Sequence, residues 1–128
     1  MAEPDEKLLE VAQAVFDMAR SGDASRLGAY VDAGVPVDLT NEKGDTLIML
    51  AAYHGHTAAV TALLDRGADP NRPNDRGQTP LAGAVFKGED TVVRALLDGG
   101  ADPKAGVPSA VDTAGMFGNT KYLEWFTD

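Results

Sequence analysis

The sequence predicts an all-α solenoid, in which helix-turn-helix units stack side by side and short hairpin loops join them. Three observations predict it. Residues 44 to 104 hold one pattern twice, with Gly44, Thr46, Ala51 and Gly55 returning 33 positions later as Gly77, Thr79, Ala84 and Gly88. Each copy carries two apolar sets at helical spacing, divided by that second glycine and closed by Gly67-Ala68-Asp69-Pro70 or Gly100-Ala101-Asp102-Pro103. The register also runs backward to Gly22 and, shortened to 30, forward to Gly118. Self-similarity at a fixed period of this length marks stacked units, each unable to bury its apolar face alone.

Taken in order, residues 5 to 20 read as one acidic helix, with Leu8, Ala12, Val15 and Ala19 along a face and Leu9 and Phe16 beside it. Leu27, Tyr30 and Val31 then match Val60, Leu63 and Leu64, and Gly34 to Asp38 matches residues 67 to 71. Residues 1–38 are therefore a first, degenerate unit, as expected where one side of a stack faces water. The second unit spans 39–71 and the third 72–104. In the third, Thr79 and Pro80 open a helix, because a hydroxyl caps orphan N–H groups and proline has none to orphan. Thr46 repeats the cap, with Leu47 in place of the proline. Ile48, Ala51 and Ala52 share one face, and the alanines suit close approach of a neighbouring helix. Gly55, Gly88, Gly67 and Gly100 end the helices, where a left-handed residue is cheapest. The fourth unit, 105–128, has a loop three residues short, so its hairpin is expected to be incomplete. Its last helix starts at Thr120, with Tyr122, Leu123 and Phe126 at the apolar positions. Trp125 stands where Ala62 and Ala95 stand elsewhere, which an outer unit without a further neighbour tolerates. No linker interrupts the series, and the four units form one domain.

The string Gly77-x-Thr79-Pro80-Leu81, then Ala84, Gly88, Leu96-Leu97-x-x-Gly100-Ala101-Asp102, resembles the ankyrin consensus. The Ala/Gly/Asp/Arg-rich wording is similar to that of compact stand-alone ankyrin proteins common in bacteria. The resemblance implies a concave groove, floored by the first helix of each unit and overhung by the hairpins, that binds a protein partner. Tyr53 and Phe86 lie 33 apart in the last turn of their helices, and Met116, with Phe117 beside it, takes the same place in the fourth unit. This resemblance puts them in the groove, rimmed by Arg20, His54 and Lys87. Exposed aromatics with a polar rim have the composition of interface hot spots; the competing reading is that they pack sideways along the stack. The hairpin tips add Glu42, Lys43 and Asp45 in one unit and Asp75, Arg76 and Gln78 in the next. Variable tips on a fixed scaffold suit recognition, against the plainer reading of solvated loop.

Composition narrows the partner. The chain has 128 residues, 44% hydrophobic and 24% charged, with no cysteine. Neither a disulfide framework nor a thiolate metal site is available. The start lacks an apolar signal region and no run is long enough to span a membrane, so the expected location is cytoplasmic. A net charge of −9 argues against nucleic acid and anionic membrane, both of which need a basic surface. It favours solubility as a monomer and steers basic proteins toward the chain.

Chemistry is poorly served. His54 and His56 are two apart and do not share a helix face, so they make no metal pair. Asp32, Asp65 and Asp98 repeat at 33 and read as a solvated outer stripe. No Gly-x-Ser-x-Gly elbow, phosphate loop or His-Glu-x-x-His helix occurs. The expectation is a non-enzymatic binding module without cofactor, serving as adaptor or regulatory subunit. The alternative is a dedicated inhibitor, such as an immunity protein masking a basic enzyme or toxin.

Overall fold

A computed structural model describes residues 4–127. It contains eight helices among the described residues: α1 (Pro4–Ser21), α2 (Ala24–Asp32), α3 (Leu47–Tyr53), α4 (Thr57–Leu64), α5 (Pro80–Lys87), α6 (Asp90–Asp98), α7 (Ala110–Met116) and α8 (Thr120–Trp125). They form four antiparallel pairs. The odd-numbered helices pack in one row, α1 on α3 on α5 on α7, and α2, α4 and α6 pack in a second row. One apolar core runs between the rows through all four pairs. The all-α solenoid expected from the register is the fold observed.

Local chemistry explains where the helices start. Thr46 Oγ1 accepts the N–H of Met49 at 3.1 Å, and Thr79 Oγ1 that of Ala82 at 3.2 Å. Ser109 takes the same place before α7 and closes a reciprocal cap with Asp112. Each cap satisfies a donor that the first helical turn otherwise orphans, typically contributing about 1 kcal/mol. The outer helices end on Gly67 and Gly100, with φ of 88° and 93°. A Cβ there would meet nothing within 4 Å, so only the backbone conformation opposes a side chain. Gly67→Val and Gly100→Val should each destabilise by roughly 1 kcal/mol or more in denaturant melts. A cost near zero at both would remove the requirement for glycine.

The register also sorts the core. Leu27, Val60 and Val93 are fully buried, as are Leu63 and Leu96. Ala59, Val92 and Tyr122 occupy one further buried row, and the matching position in the first pair is the exposed Arg26. That row faces the preceding pair: Tyr122 Oη reaches back to Asp90 of α6. Among the described residues no helix pair covers Arg26, and its side chain stands in solvent.

Two details differ from the sequence reading. The stripe on α1 is buried only from Val15 onward, while Leu8 and Leu9 are 66% and 62% exposed. The reason is length: α1 has 18 residues and its neighbour α3 only 7, so the first half of α1 has nothing to lie on. Leu8, Leu9, Val35 and Leu39 instead border an open apolar depression of about 710 Å³ at that end. Trp125 is not merely accommodated at the other end. It packs back on the third pair, with the Arg94 guanidinium of α6 4.0 Å from its ring centroid, and lies beside the Tyr122 ring of its own helix at 5.3 Å.

The fourth pair is fastened further by Asp90, which accepts from Lys121 Nζ at 2.6 Å and from Tyr122 Oη. The hydrogen bond from Lys121, then that from Tyr122, hold the Asp90 carboxyl below its ordinary value of 3.8. Burial, then the bond to Asp90, push the Tyr122 phenol up. A depressed folded pKa means stability present above about 3.8 and lost as pH falls through the folded value. Asp90→Ala should therefore lower the melting temperature at pH 7, and the gap to wild type should close in the acid limb below that range. A gap that stays constant into the acid limb would show that charge plays no part.

Candidate functional site

The last turns of the inner helices bring Arg20, Tyr53, Phe86 and Met116 into one row, successive members of the 33-residue register and its shortened continuation. Phe86 is 52% exposed and Met116 70%. The Phe86 and Phe117 rings meet edge to face with centroids 5.7 Å apart, and Tyr53 meets His54 in the same manner at 5.6 Å. Lys87 Nζ lies 5.1 Å from the Tyr53 centroid, within cation–π range. Each ring thus touches an aromatic beside the row, yet half of Phe86 remains open to solvent.

Beside this row run two adjoining depressions. The first, about 230 Å³, is lined by Arg20, Glu42, Lys43, Asp45, Tyr53, His54, Arg76 and Gln78, over a floor of Met49 and Leu50. The second, about 320 Å³, is lined by Tyr53, Arg76, Gln78, Phe86 and Met116, with Ala82, Thr113 and Pro108. Tyr53, Arg76 and Gln78 belong to both, so the two form one groove between hairpins and inner helices. Of the residues singled out from sequence, only Asp75, Lys87 and Phe117 line neither depression. Lys87 and Phe117 flank the groove through Tyr53 and Phe86. The Asp75 carboxylate lies over Gly44, in the space that a Cβ would need.

The hairpin wall is built by two residues the sequence reading passed over. Asn41 Oδ1 accepts the N–H groups of Lys43 and Asp45 at 2.9 and 3.0 Å. Asn74 Oδ1 accepts those of Arg76 and Gln78, both at 3.0 Å, and Asn74 Nδ2 donates to Asp45 Oδ1 at 2.9 Å. Side-chain amides that bond to backbone N–H groups just downstream replace ladder bonds and fix the turn. Successive hairpins are also joined directly, the Asp75 N–H donating to the Lys43 carbonyl at 3.0 Å and the Val107 N–H to the Gly77 carbonyl at 2.9 Å. Asn41 and Asn74 are 33 apart, so the register carried the signal. Gly83 was also missed. A Cβ there would come 3.0 Å from Met49 and 3.4 Å from Tyr53, so its absence lets α5 lie close against these side chains of α3.

The histidines divide by role. His56 faces Arg20 O at 2.7 Å and stacks the second pair on the first. His54 borders the groove. Burial pushes its pKa down, and the nearby charges of His56, Lys87 and Arg20 push it further, so it is neutral at pH 7. Among the described residues no three His, Asp or Glu side chains converge as a metal site would require. The outer aspartates are not equivalent: Asp32 takes a two-pronged contact from Arg66 at 2.9 and 3.1 Å. That contact holds the Asp32 carboxyl below its ordinary value.

Stacked helix pairs, hairpins at the expected places in the register and a groove between them meet a matching sequence pattern. The ankyrin repeat pattern fits residues 15–106 in three copies. The chain belongs to the ankyrin repeat family. A putative ankyrin repeat protein of Pseudomonas aeruginosa is 45% identical over 58 residues, which are 45% of this ankyrin chain and 34% of that protein. The crystal structure of the human ASB11 ankyrin repeat domain superposes with a TM-score of 0.66 at 31% identity, over 70% of this chain and 40% of the other. The chain thus spans about a third of the length of the curated relative and two fifths of the solved one. Ankyrin repeats are in general protein–protein interaction modules and non-enzymatic scaffolds. No helix among the described residues is long and apolar enough to cross a membrane.

Proposed function

We propose that the groove between hairpins and inner helices binds a partner protein, and that the chain acts as an adaptor or regulatory subunit. One observation supports this above the others. The Tyr53–Phe86–Met116 row leaves large apolar surface exposed inside a concavity, although α3 is buried from Leu47 to Ala52 and α5 from Pro80 to Val85. Rings kept only for stacking gain nothing from standing half in water. A rigid ring in a partly enclosed site loses little freedom on binding, and such residues dominate interface energetics. The depressions are shallow and open to each other, which suits a peptide strand or loop better than a small molecule.

The test compares two proteins as bait in native lysate: wild type, and a variant carrying Tyr53→Ala and Phe86→Ala. Partners retained by wild type and lost by the variant support the groove. Equal retention by a variant that is fully folded overturns it.

A further inference from the structure

We infer that the groove is divided by polarity along its length, and that it receives a partner segment with large apolar side chains grouped at one end and polar ones at the other. This rests on the groove-binding reading and adds to it the composition and direction of the segment. The sign of charge does not select the partner. Arg20, Lys43, Arg76 and Lys87, in or beside the groove, are offset by Asp17, Glu42, Asp45 and Asp75. Apolar surface is distributed less evenly. Of the large apolar side chains exposed among the described residues, Leu8 and Leu9 stand on the first half of α1. The other four, Phe86, Val107, Met116 and Phe117, gather at the fourth-unit end of the groove.

That end has two apolar walls. The helix wall carries Phe86, Met116 and Phe117, whose two rings meet edge to face. The hairpin wall carries Val107, 79% exposed, and Pro108, which lines the same depression as Phe86 and Met116. Among the described residues lining that depression only Arg76 is charged, and it stands at the boundary, shared with the first depression. The first depression is bordered instead by Arg20, Glu42, Lys43 and Asp45. A charged side chain brought to the apolar end leaves water with no partner beyond Arg76, whereas an apolar one leaves it favourably. At the other end the preference reverses, because an apolar side chain there strips water from charged groups and returns no hydrogen bond. A segment bound backward is therefore disfavoured at both ends, which sets its direction. A second copy of the chain brings a further net charge of −9, and that repulsion favours a different protein as the occupant.

The experiment selects short peptides from a random displayed library on the wild-type protein and synthesises those enriched. Each peptide carries a nitroxide at one end, then at the other, and protein amides are followed by NMR. The expected result is peptides with Leu, Met, Phe or Trp grouped at one end. A nitroxide there should broaden the amides of Phe86, Met116 and Phe117, and one at the opposite end those of Arg20, Lys43 and His54. Met116→Gln with Phe117→Ser should lower peptide affinity by about 10-fold or more with little change in melting temperature. The conservative pair, Met116→Leu with Phe117→Tyr, should keep it. Peptides that shift the Tyr53 and Arg76 amides but carry no apolar group at one end, or lie reversed, overturn the division and leave the groove reading standing. Peptides that shift no groove amide, or a selection that returns none, overturn both. Sedimentation tests the remaining occupant: a dimer that Met116→Gln with Phe117→Ser dissolves would put a second copy on the apolar end and overturn the proposal.

Discussion

Tyr53→Ala together with Phe86→Ala is expected to weaken partner binding by about 2 kcal/mol or more while leaving the stack folded. The magnitude follows from exposure. Phe86 is half out of the core, so its truncation removes little buried surface from the free protein and much from a complex. Tyr53 is less exposed and carries more risk, because Met49, Gly83 and Lys87 surround it. Binding and melting must therefore be measured on the same samples. A drop of about 2 kcal/mol in binding with a melting temperature within a few degrees supports the groove. A large fall in melting temperature, with binding lost only in proportion to unfolding, would make the row a packing device. Substitution of Asp32, Asp65 and Asp98 serves as a control and should alter binding only through long-range charge.

Gly77→Val should destabilise by roughly 3 kcal/mol, well beyond the effect at Gly67 or Gly100. Two costs add here. The residue has φ of 80°, a conformation costing a side chain about 1–2 kcal/mol. A Cβ would also stand 2.8 Å from Val107 O, which is backbone and cannot swing aside. Overpacking of that kind costs about 1–3 kcal/mol, and here it would also strain the Val107 N–H bond to the Gly77 carbonyl. In thermal melts the shift should be about 10 °C or more. Gly100→Val is the comparison, since it has the backbone cost and no clash. Equal losses at Gly77 and Gly100 would mean that contact between hairpins imposes no constraint.

Much of the fold was legible because a stacked repeat writes its geometry into a period. Thr46 and Thr79 cap as expected, Gly55 and Gly88 are left-handed, and Val60 and Val93 are buried by the same register. Where the register frays, sequence reasoning loses its guide. The exposure of Leu8 depends on how far α3 extends beneath α1, which the apolar pattern of α1 does not contain. Trp125 finds Arg94 across two helices, a contact between residues that the period does not align. The groove rows were legible as aligned side chains, but the hairpin wall was read as glycine plus free tips. Its carbonyl and amide pattern depends on Asn41 and Asn74, whose polar side chains look like ordinary loop composition. The shortness of the last hairpin was legible in the spacing, but not that Pro108 would line the groove.

The amide-held hairpins separate two kinds of position that lie side by side in the chain. Asn41, Gly44, Asn74 and Gly77 set the path of the backbone, and the bonds they make use main-chain atoms of their neighbours. Lys43 and Arg76 enter those bonds only through main-chain atoms that any residue except proline supplies. Their side chains can be exchanged without rewriting the loop. Each hairpin therefore works as a socket with interchangeable letters, and changing partner needs a few substitutions at the tips rather than a new scaffold. A library randomised at positions 42, 43 and 76 alone, with both asparagines and both glycines held, would yield mostly folded proteins that differ in what they grip.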